Sequence, residues 1–310
     1  MSKADELFIK TCKNILETGT DTTGEKTRPH WEDGTPAYTI KKFGVVNRYD
    51  LREEFPIMTL RRTALKSATD EMLWIWQQKS NNIHDLHSHI WDEWADEDGS
   101  IGKAYGYQMS IPHLYKDVTE EGLERFAKAA ESEVERITKD PETGLYRMDQ
   151  VDKVIYDLMN APFSRRIMTN IYNHEDLHEM HLYPCAYSMT FNVTQRPGEK
   201  KLTLNAILNQ RSQDMLAANN WNIVQYAVLV HMLAHVADMN VGELVHVIAD
   251  CHIYDRHVSI IKQLISREPL PAPKFVLNPD VHDFYKFTRD DVSVEDYVTR
   301  APILNIPIAI

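Results

Sequence analysis

Cysteine is scarce in this chain. The 310 residues hold only Cys12, Cys185 and Cys251, an odd number at no metal-like spacing, which argues against a disulfide framework and for a reducing compartment. Basic residues are in deficit: 34 Lys and Arg against 46 Asp and Glu leave a net charge of −12. No basic stripe can then displace counterions from a nucleic-acid backbone, so neither DNA nor RNA is expected as the main ligand. A small anion is still allowed, because a local arginine cluster can act inside an acidic protein. The N-terminal stretch MSKADELFIKTCKNILETG lacks the apolar centre of a secretion signal, and Phe8, Cys12, Ile15 and Leu16 mark one face of a packed helix instead. The most apolar run, AVLVHMLAHVA, is short and carries two histidines, so no membrane span is expected. Repeats and low-complexity tracts are absent. The expectation is a cytoplasmic chain whose 43% hydrophobic residues suffice for a sizeable core.

The segments that are present alternate between two periods. Residues 63–79 and 119–137 have helical spacing, and WNIVQYAVLVHMLAHVADMN is apolar nearly all round, as a buried central helix would be. YTIKKFGVVNRYDL, KLTLNAILNQRSQD and ELVHVIADCHIYDRH have strand character, and TQRPGEK suits a hairpin connection. In HLYPCAYSMTFNV the odd positions from Tyr183 to Val193 form one apolar face, which predicts a strand with Cys185 at the start of its buried side. The fold class is α+β: a single domain over 1–310, with a largely antiparallel twisted sheet flanked by long helices. Residues 110–147 form a small helical insertion within it.

Several constellations could carry chemistry. Cys185 reads either as a small core hydrophobe or as a nucleophile at a strand end. Arg165 and Arg166 are adjacent, and Arg211 with Ser212 closes the second strand of the hairpin. Clustered guanidinium groups suit phosphate, and surface ion pairs are the plainer explanation for each alone. Should the hairpin bring Arg211 to Cys185, its charge would favour thiolate and lower the thiol pKa to roughly 3.5–7.5. Asp250, His252 and Tyr254 fall on one strand face and need polar partners, either each other or sugar hydroxyls. His231 and His235 share the i,i+4 spacing of zinc proteases, but Met232 replaces the glutamate, so they read as buried or interfacial. The histidines of HDLHSH have no obvious acidic or cysteine partner, and no metal is expected.

Together these segments resemble the thymidylate synthase family, in order and through most of the chain. DEMLWIW is similar to the family's helix with a catalytic glutamate, HIWDEWADEDGSIGKAYGYQ to its Trp-rich cofactor wall, and MDQVDKVIYDLMNAPFSRRI to the segment ending in paired phosphate arginines. LYPCAY, QRSQDMLAANNWNI, DCHIY and the terminal IPIAI complete the resemblance. It implies that dUMP becomes dTMP, with 5,10-methylenetetrahydrofolate as one-carbon and hydride donor and dihydrofolate as product.

The resemblance also implies roles. Cys185 would add to uracil C6, because C5 is otherwise too weak a nucleophile. Arg211, Ser212 and Arg28 would hold the phosphate, with Arg165 and Arg166 donated by the partner of an obligate homodimer. His252 and Tyr254 would bind the deoxyribose hydroxyl, and the Asn222 amide would pair with uracil N3–H and O4. Glu71 would manage protons at O4, and Tyr105 would assist loss of the C5 proton. Ile90, Trp91, Asp214, Ala218, Trp221 and Ile310 would contact the folate.

Departures are Ala186 where many members have histidine, AANNWN for the commoner Leu-Gly-x-Pro-Phe-Asn, Met109 for tryptophan and Arg61 for lysine. The N-terminal loop also lacks the usual Arg-Thr-Gly-Thr-Gly-Thr. A dUMP or dCMP hydroxymethylase on the same fold is the nearest alternative, and Asn222 and Trp91 favour the methylase. A cysteine hydrolase would leave the arginines without a task, and no oxyanion-hole glycine run follows Cys185.

Overall fold

Strands with one apolar face need a helix layer to cover it, and this chain supplies that layer from both ends and the middle. The computed structural model describes residues 2–310. The helices are α1 (Lys3–Thr18), α2 (Leu65–Trp76), α3 (Gly106–Ser110), α4 (Glu120–Ala130), α5 (Gln150–Asn160), α6 (Asn219–Val236) and α7 (Val258–Ile265). The strands are β1 (Thr20–Asp21), β2 (Thr39–Asp50), β3 (His113–Tyr115), β4 (Thr138–Lys139), β5 (Tyr146–Met148), β6 (Met168–Asn170), β7 (Ala186–Thr194), β8 (Thr203–Asp214), β9 (Asn240–Tyr254), β10 (Lys274–Leu277) and β11 (Val292–Glu295). The main sheet has the order β1-β2-β9-β8-β7-β6. Its pairings are antiparallel except β8 with β9, which α6 joins as the crossover that parallel neighbours require. This is the expected α+β fold with a largely antiparallel sheet. No helix among the described residues is long and apolar enough to cross a membrane.

The buried face of the sheet changes parity along one line. On β7 it runs through Val193, Phe191 and Met189, then switches to Ser188 and Ala186; on β8 it runs through Leu204 to Gln210 on even residues, then moves to Gln213. On β9 it passes from Leu244, His246 and Ile248 to Cys251 and Ile253. β2 carries Gly44 at φ +71° beside the same line, a backbone state that glycine adopts without strain. The register of β7 against β8 slips between Ala186 and Ser188, the mark of a bulge, which bends a strand and re-aims its side chains. A single odd-numbered buried face from Tyr183 onward is therefore wrong. Tyr183 is exposed, and Cys185 lies outside the core face, beyond the bulge. Strict alternation cannot foresee one extra residue in a strand.

α6 is buried on nearly all sides: it covers β8 and β9 and packs against α2. Past the kink line a second cluster of Phe8, Cys12, Ile15, Met215, Cys251 and Ile261 packs α1 and α7 on the sheet. Residues 110–147 are not wholly helical. α4, capped by the Thr119 hydroxyl on the Gly122 N–H, ends at Ala130 rather than 137. A tight 3₁₀ stretch over Glu131–Arg136 follows, where Glu133 turns inward to Lys79 (3.8 Å) and Arg136 (3.0 Å). β3, β5 and β4 then form a three-stranded sheet.

Candidate active site

The kink line brings Cys185 and Arg211 together. The Arg211 backbone N–H donates to the Cys185 carbonyl (2.9 Å), and its guanidinium lies 3.7 Å from Sγ. That guanidinium also donates to the carbonyls of Pro184 (3.0 Å) and Tyr183 (2.7 Å). The expected approach is present, but the expected consequence is not. Burial pushes the thiol above its ordinary value, and the opposing pulls of Arg211, Tyr105 and Arg28 do not overcome it. A guanidinium shared with two carbonyls cannot offset the lost hydration of a thiolate. Within the single chain the balance at Cys185 favours the thiol.

Ser212 is in register with Asp250, and Asp214 with His252. Two of the three polar groups of β9, Asp250 and His252, are satisfied by one another and by β2. His252 Nδ1 lies 2.9 Å from Asp250, Lys41 donates to Asp250 at 2.9 Å, and the Tyr254 ring packs edge-on to His252 at 5.0 Å. Burial would raise Asp250, but His252 and Lys41 outweigh it and hold the carboxylate low.

Opposite this wall stand α2 and α6. Glu71 is buried, at 5% exposure, and each of its oxygens accepts one indole N–H: Oε1 from Trp91 (3.0 Å) and Oε2 from Trp221 (2.5 Å). Burial pushes it up to about 7, against the pull of those donors. Asn222 sits one residue after Trp221, within a chain of amides. The Ser212 carbonyl is an acceptor only, so the group that reaches it at 3.1 Å must be the Gln210 NH₂. The same NH₂ donates to Asn222 Oδ1 (3.1 Å), which leaves Asn222 Nδ2 to donate to Gln225 Oε1 (3.0 Å). Gln210 Oε1 then accepts from His246 Nε2 (2.8 Å), and burial drives His246 down to about 3, so it stays neutral. Asn222 is thus held with one N–H and one lone pair left over.

Tyr105 links the two walls. Its hydroxyl accepts from the Cys185 backbone N–H (3.1 Å) and its ring packs on Trp91 at 5.0 Å. Burial pushes it well above the usual phenol value, so it keeps its proton. Tyr105 itself has φ +45°, the left-handed region, which a non-glycine residue occupies only when its surroundings hold it there.

At the mouth, burial would raise Asp214, but the His257 partner (3.5 Å) and the backbone N–H groups of Leu216 (2.8 Å) and Ala217 (3.1 Å) keep it below the usual range. His257 Nε2 donates to the Pro307 carbonyl (2.7 Å). Ile310 and His30 exchange two backbone hydrogen bonds (2.8 and 2.9 Å), so the C-terminal tail lies against the N-terminal loop. Arg28 is exposed in that loop, and its charge acts on Cys185 and Tyr254. Ala218 precedes α6 as its cap residue, and Ile90 is 41% exposed. Arg165 and Arg166 are exposed ahead of the edge strand β6 and reach none of the other site residues in this chain.

Gln210, Gln225, His246 and His257 were not singled out from the sequence. Gln225 carried a faint signal, three residues after Asn222 on one helix face. The partners of His246 and His257 come from distant elements.

The thymidylate synthase family model matches residues 6–310. The chain is 38% identical over 301 residues to the thymidylate synthase of Bacillus licheniformis, covering 96% of each. It is 36% identical to that of Bacillus phage phi3T, with the same coverage. The thermostable thymidylate synthase A from Bacillus subtilis superposes with a TM-score of 0.82 at 35% identity, covering 99% of both chains.

Proposed function

The chain belongs to the thymidylate synthase family, and from that premise we propose how its own residues carry the reaction. It is a methyltransferase of thymidylate synthesis, forming dTMP from dUMP, in a family that takes methylenetetrahydrofolate as co-substrate.

The Cys185 sulfur adds to uracil C6, and the electron pair of the C5–C6 double bond moves toward C5 and O4. Burial favours the protonated sulfur beforehand, so its proton passes through solvent to the developing enolate oxygen O4 as the S–C6 bond forms, and the adduct is a neutral enol. Arg211, Ser212 and Arg28 hold the phosphate, and His252 and Tyr254 hold the deoxyribose hydroxyl. The spare N–H and lone pair of Asn222 take O4 and N3–H of uracil. Cytosine presents the reverse pattern and would leave that buried amide unpaired, which costs a large factor in specificity. Glu71, near neutrality in its pKa, stores or releases a proton on the O4 side. Tyr105, a phenol at working pH, relays the C5 proton to solvent rather than keeping it, and the S–C6 bond breaks once the hydride has been delivered, so that the C5–C6 double bond re-forms and Cys185 is freed.

The site suits a folate: Ile90 and Ile310 offer exposed apolar surface (41% and 42%), and Asp214 is an ionised acceptor. When bound, the folate supplies the one-carbon unit and the hydride. Trp91, Trp221, Ala218 and Ile90 pack along it, Asp214 takes its ring N–H groups, and Ile310 closes over it.

A homodimer completes the site, with Arg165 and Arg166 contributed to the phosphate of the partner. Neither arginine has an ion-pair partner among the described residues, and the sheet face away from α6 exposes Phe43 (91%), Val46 (53%) and Ile207 (38%), a patch of the kind that marks an interface. A cytoplasmic location goes with three free thiols. The 110–147 segment is a subdomain of the one domain.

The placement of Cys185 Sγ 3.7 Å from the Arg211 guanidinium carries this reading. Its test is the absorbance rise of dihydrofolate with dUMP and methylenetetrahydrofolate, with dCMP as control. Equal rates on dCMP, or 5-hydroxymethyl-dUMP formed without dihydrofolate, would overturn it.

A further inference from the structure

We propose that Trp221 is a positioning residue for the reaction: its indole N–H and that of Trp91 grip the two oxygens of Glu71 and fix the carboxylate toward the uracil side of the site. The proposal rests on the role given to Glu71 above. Trp221 then does more than line a folate wall.

The geometry is specific. Trp91 comes from the loop after α2 and Trp221 from the first turn of α6, so the carboxylate is held from two elements at once, at 3.0 and 2.5 Å. One donor per oxygen means that rotation of the carboxyl group breaks both bonds. An indole nitrogen can only donate, so neither ring can turn to accept a proton from the neutral acid. Trp221 also precedes Asn222 directly, so one helical turn sets both the carboxylate and the amide that faces the base.

The groups around Glu71 are Asp70 beside it on α2, the phenols Tyr105 and Tyr226, and the Gln225 amide. None of these is a cation. The two indoles therefore carry most of the stabilisation of the ionised form, and burial opposes them.

Trp221→Phe removes the donor and keeps the ring. With glutamate labelled at the carboxyl carbon, the Glu71 resonance, assigned by its loss in Glu71→Gln, should titrate near 7 in the free wild-type enzyme. In Trp221→Phe the midpoint should rise by about one pH unit. In turnover, kcat should fall roughly tenfold with its pH limb moved the same way, while dUMP affinity stays within twofold. An unmoved midpoint, or a rise in folate KM with kcat and its pH limb unchanged, would overturn the proposal and return Trp221 to a wall residue.

A second measurement needs no tryptophan variant. Of the six tryptophan indole N–H signals, two should follow the Glu71 titration in wild type and cease to do so in Glu71→Gln. Fewer than two would also overturn the proposal. Failure of wild-type enzyme to form dTMP would instead count against the functional reading, since both titrations are read on the free protein.

Discussion

The two walls of the site hold charge in opposite ways. On the sheet wall Asp250 and Asp214 are flanked by Lys41 and His252 or by His257, and both stay below the usual carboxylate range despite burial. On the helix wall Glu71 meets only neutral donors and rises to about 7. A full positive charge or several backbone N–H groups overcome desolvation, whereas two indoles do so only in part. Cys185 belongs to the sheet wall by position but to the helix wall by behaviour. Arg211 is shared with two carbonyls, Arg28 acts only from the exposed loop, and burial wins. The sheet wall therefore holds fixed charge, and the helix wall carries a carboxyl group that changes charge near neutrality.

The contrast can be broken first at the nucleophile. Cys185→Ala should lower dTMP formation by roughly 10⁴-fold or more, while equilibrium dialysis finds dUMP binding within a few-fold of wild type. Substantial turnover in that variant would remove the sheet wall from the chemistry. Next comes the proton store. Glu71→Gln keeps shape and removes the acid, so kcat should fall about 10²–10⁴-fold and the pH dependence near 7 should flatten. A profile identical to wild type would show that no proton moves through this wall.

A smaller effect is expected from the amide chain. Gln210→Leu leaves Asn222 Oδ1 and His246 without their partner, a cost of roughly 1–3 kcal/mol. In kcat/KM with dUMP that is about five- to 150-fold, with a proportionate loss of discrimination against dCMP. The thiol gives a cleaner test of the sheet wall alone. Alkylation of the free enzyme by iodoacetamide should keep accelerating above pH 9. Arg211→Met should slow it about tenfold at pH 8, since one nearby charge shifts a buried thiol by roughly a unit. A plateau below pH 7 would restore the thiolate at rest that the sequence suggested.

Much of the sheet wall could be read from the chain. The strands appear where period-two patterning puts them, and Arg211 faces Cys185 because TQRPGEK closes a hairpin in register from Thr194 and Thr203. What alternation could not express was the bulge near Tyr187, which carries Cys185 out of the core face. The helix wall was less legible. Glu71, Trp91 and Asn222 were identified through resemblance, but the bonds that give Glu71 its properties join residues 20 and 150 positions apart. Trp221 looks like a ring for a ring from sequence alone, and only the fold turns its N–H onto Glu71. α4 was overextended because Val134 and Ile137 continue its spacing, while Glu133 is drawn inward to Lys79.

The smallest effect concerns the free energy of folding, and its sign distinguishes the walls again. Glu71 is raised by burial from 4.5 to about 7. The folded state therefore binds its proton more tightly than the unfolded chain does. Its contribution is fully present below the unfolded value and is lost as pH rises through about 7. Between pH 6 and 8.5 that single group should cost about 1 kcal/mol. Asp214 and Asp250, held low, work the other way: their contribution is intact above the ordinary carboxylate range and disappears only in acid. Urea unfolding at pH 6 and 8.5 should show wild type weakening with pH and Glu71→Gln weakening by about 1 kcal/mol less. An unchanged difference would mean that the carboxylate is better solvated than its indole grip allows.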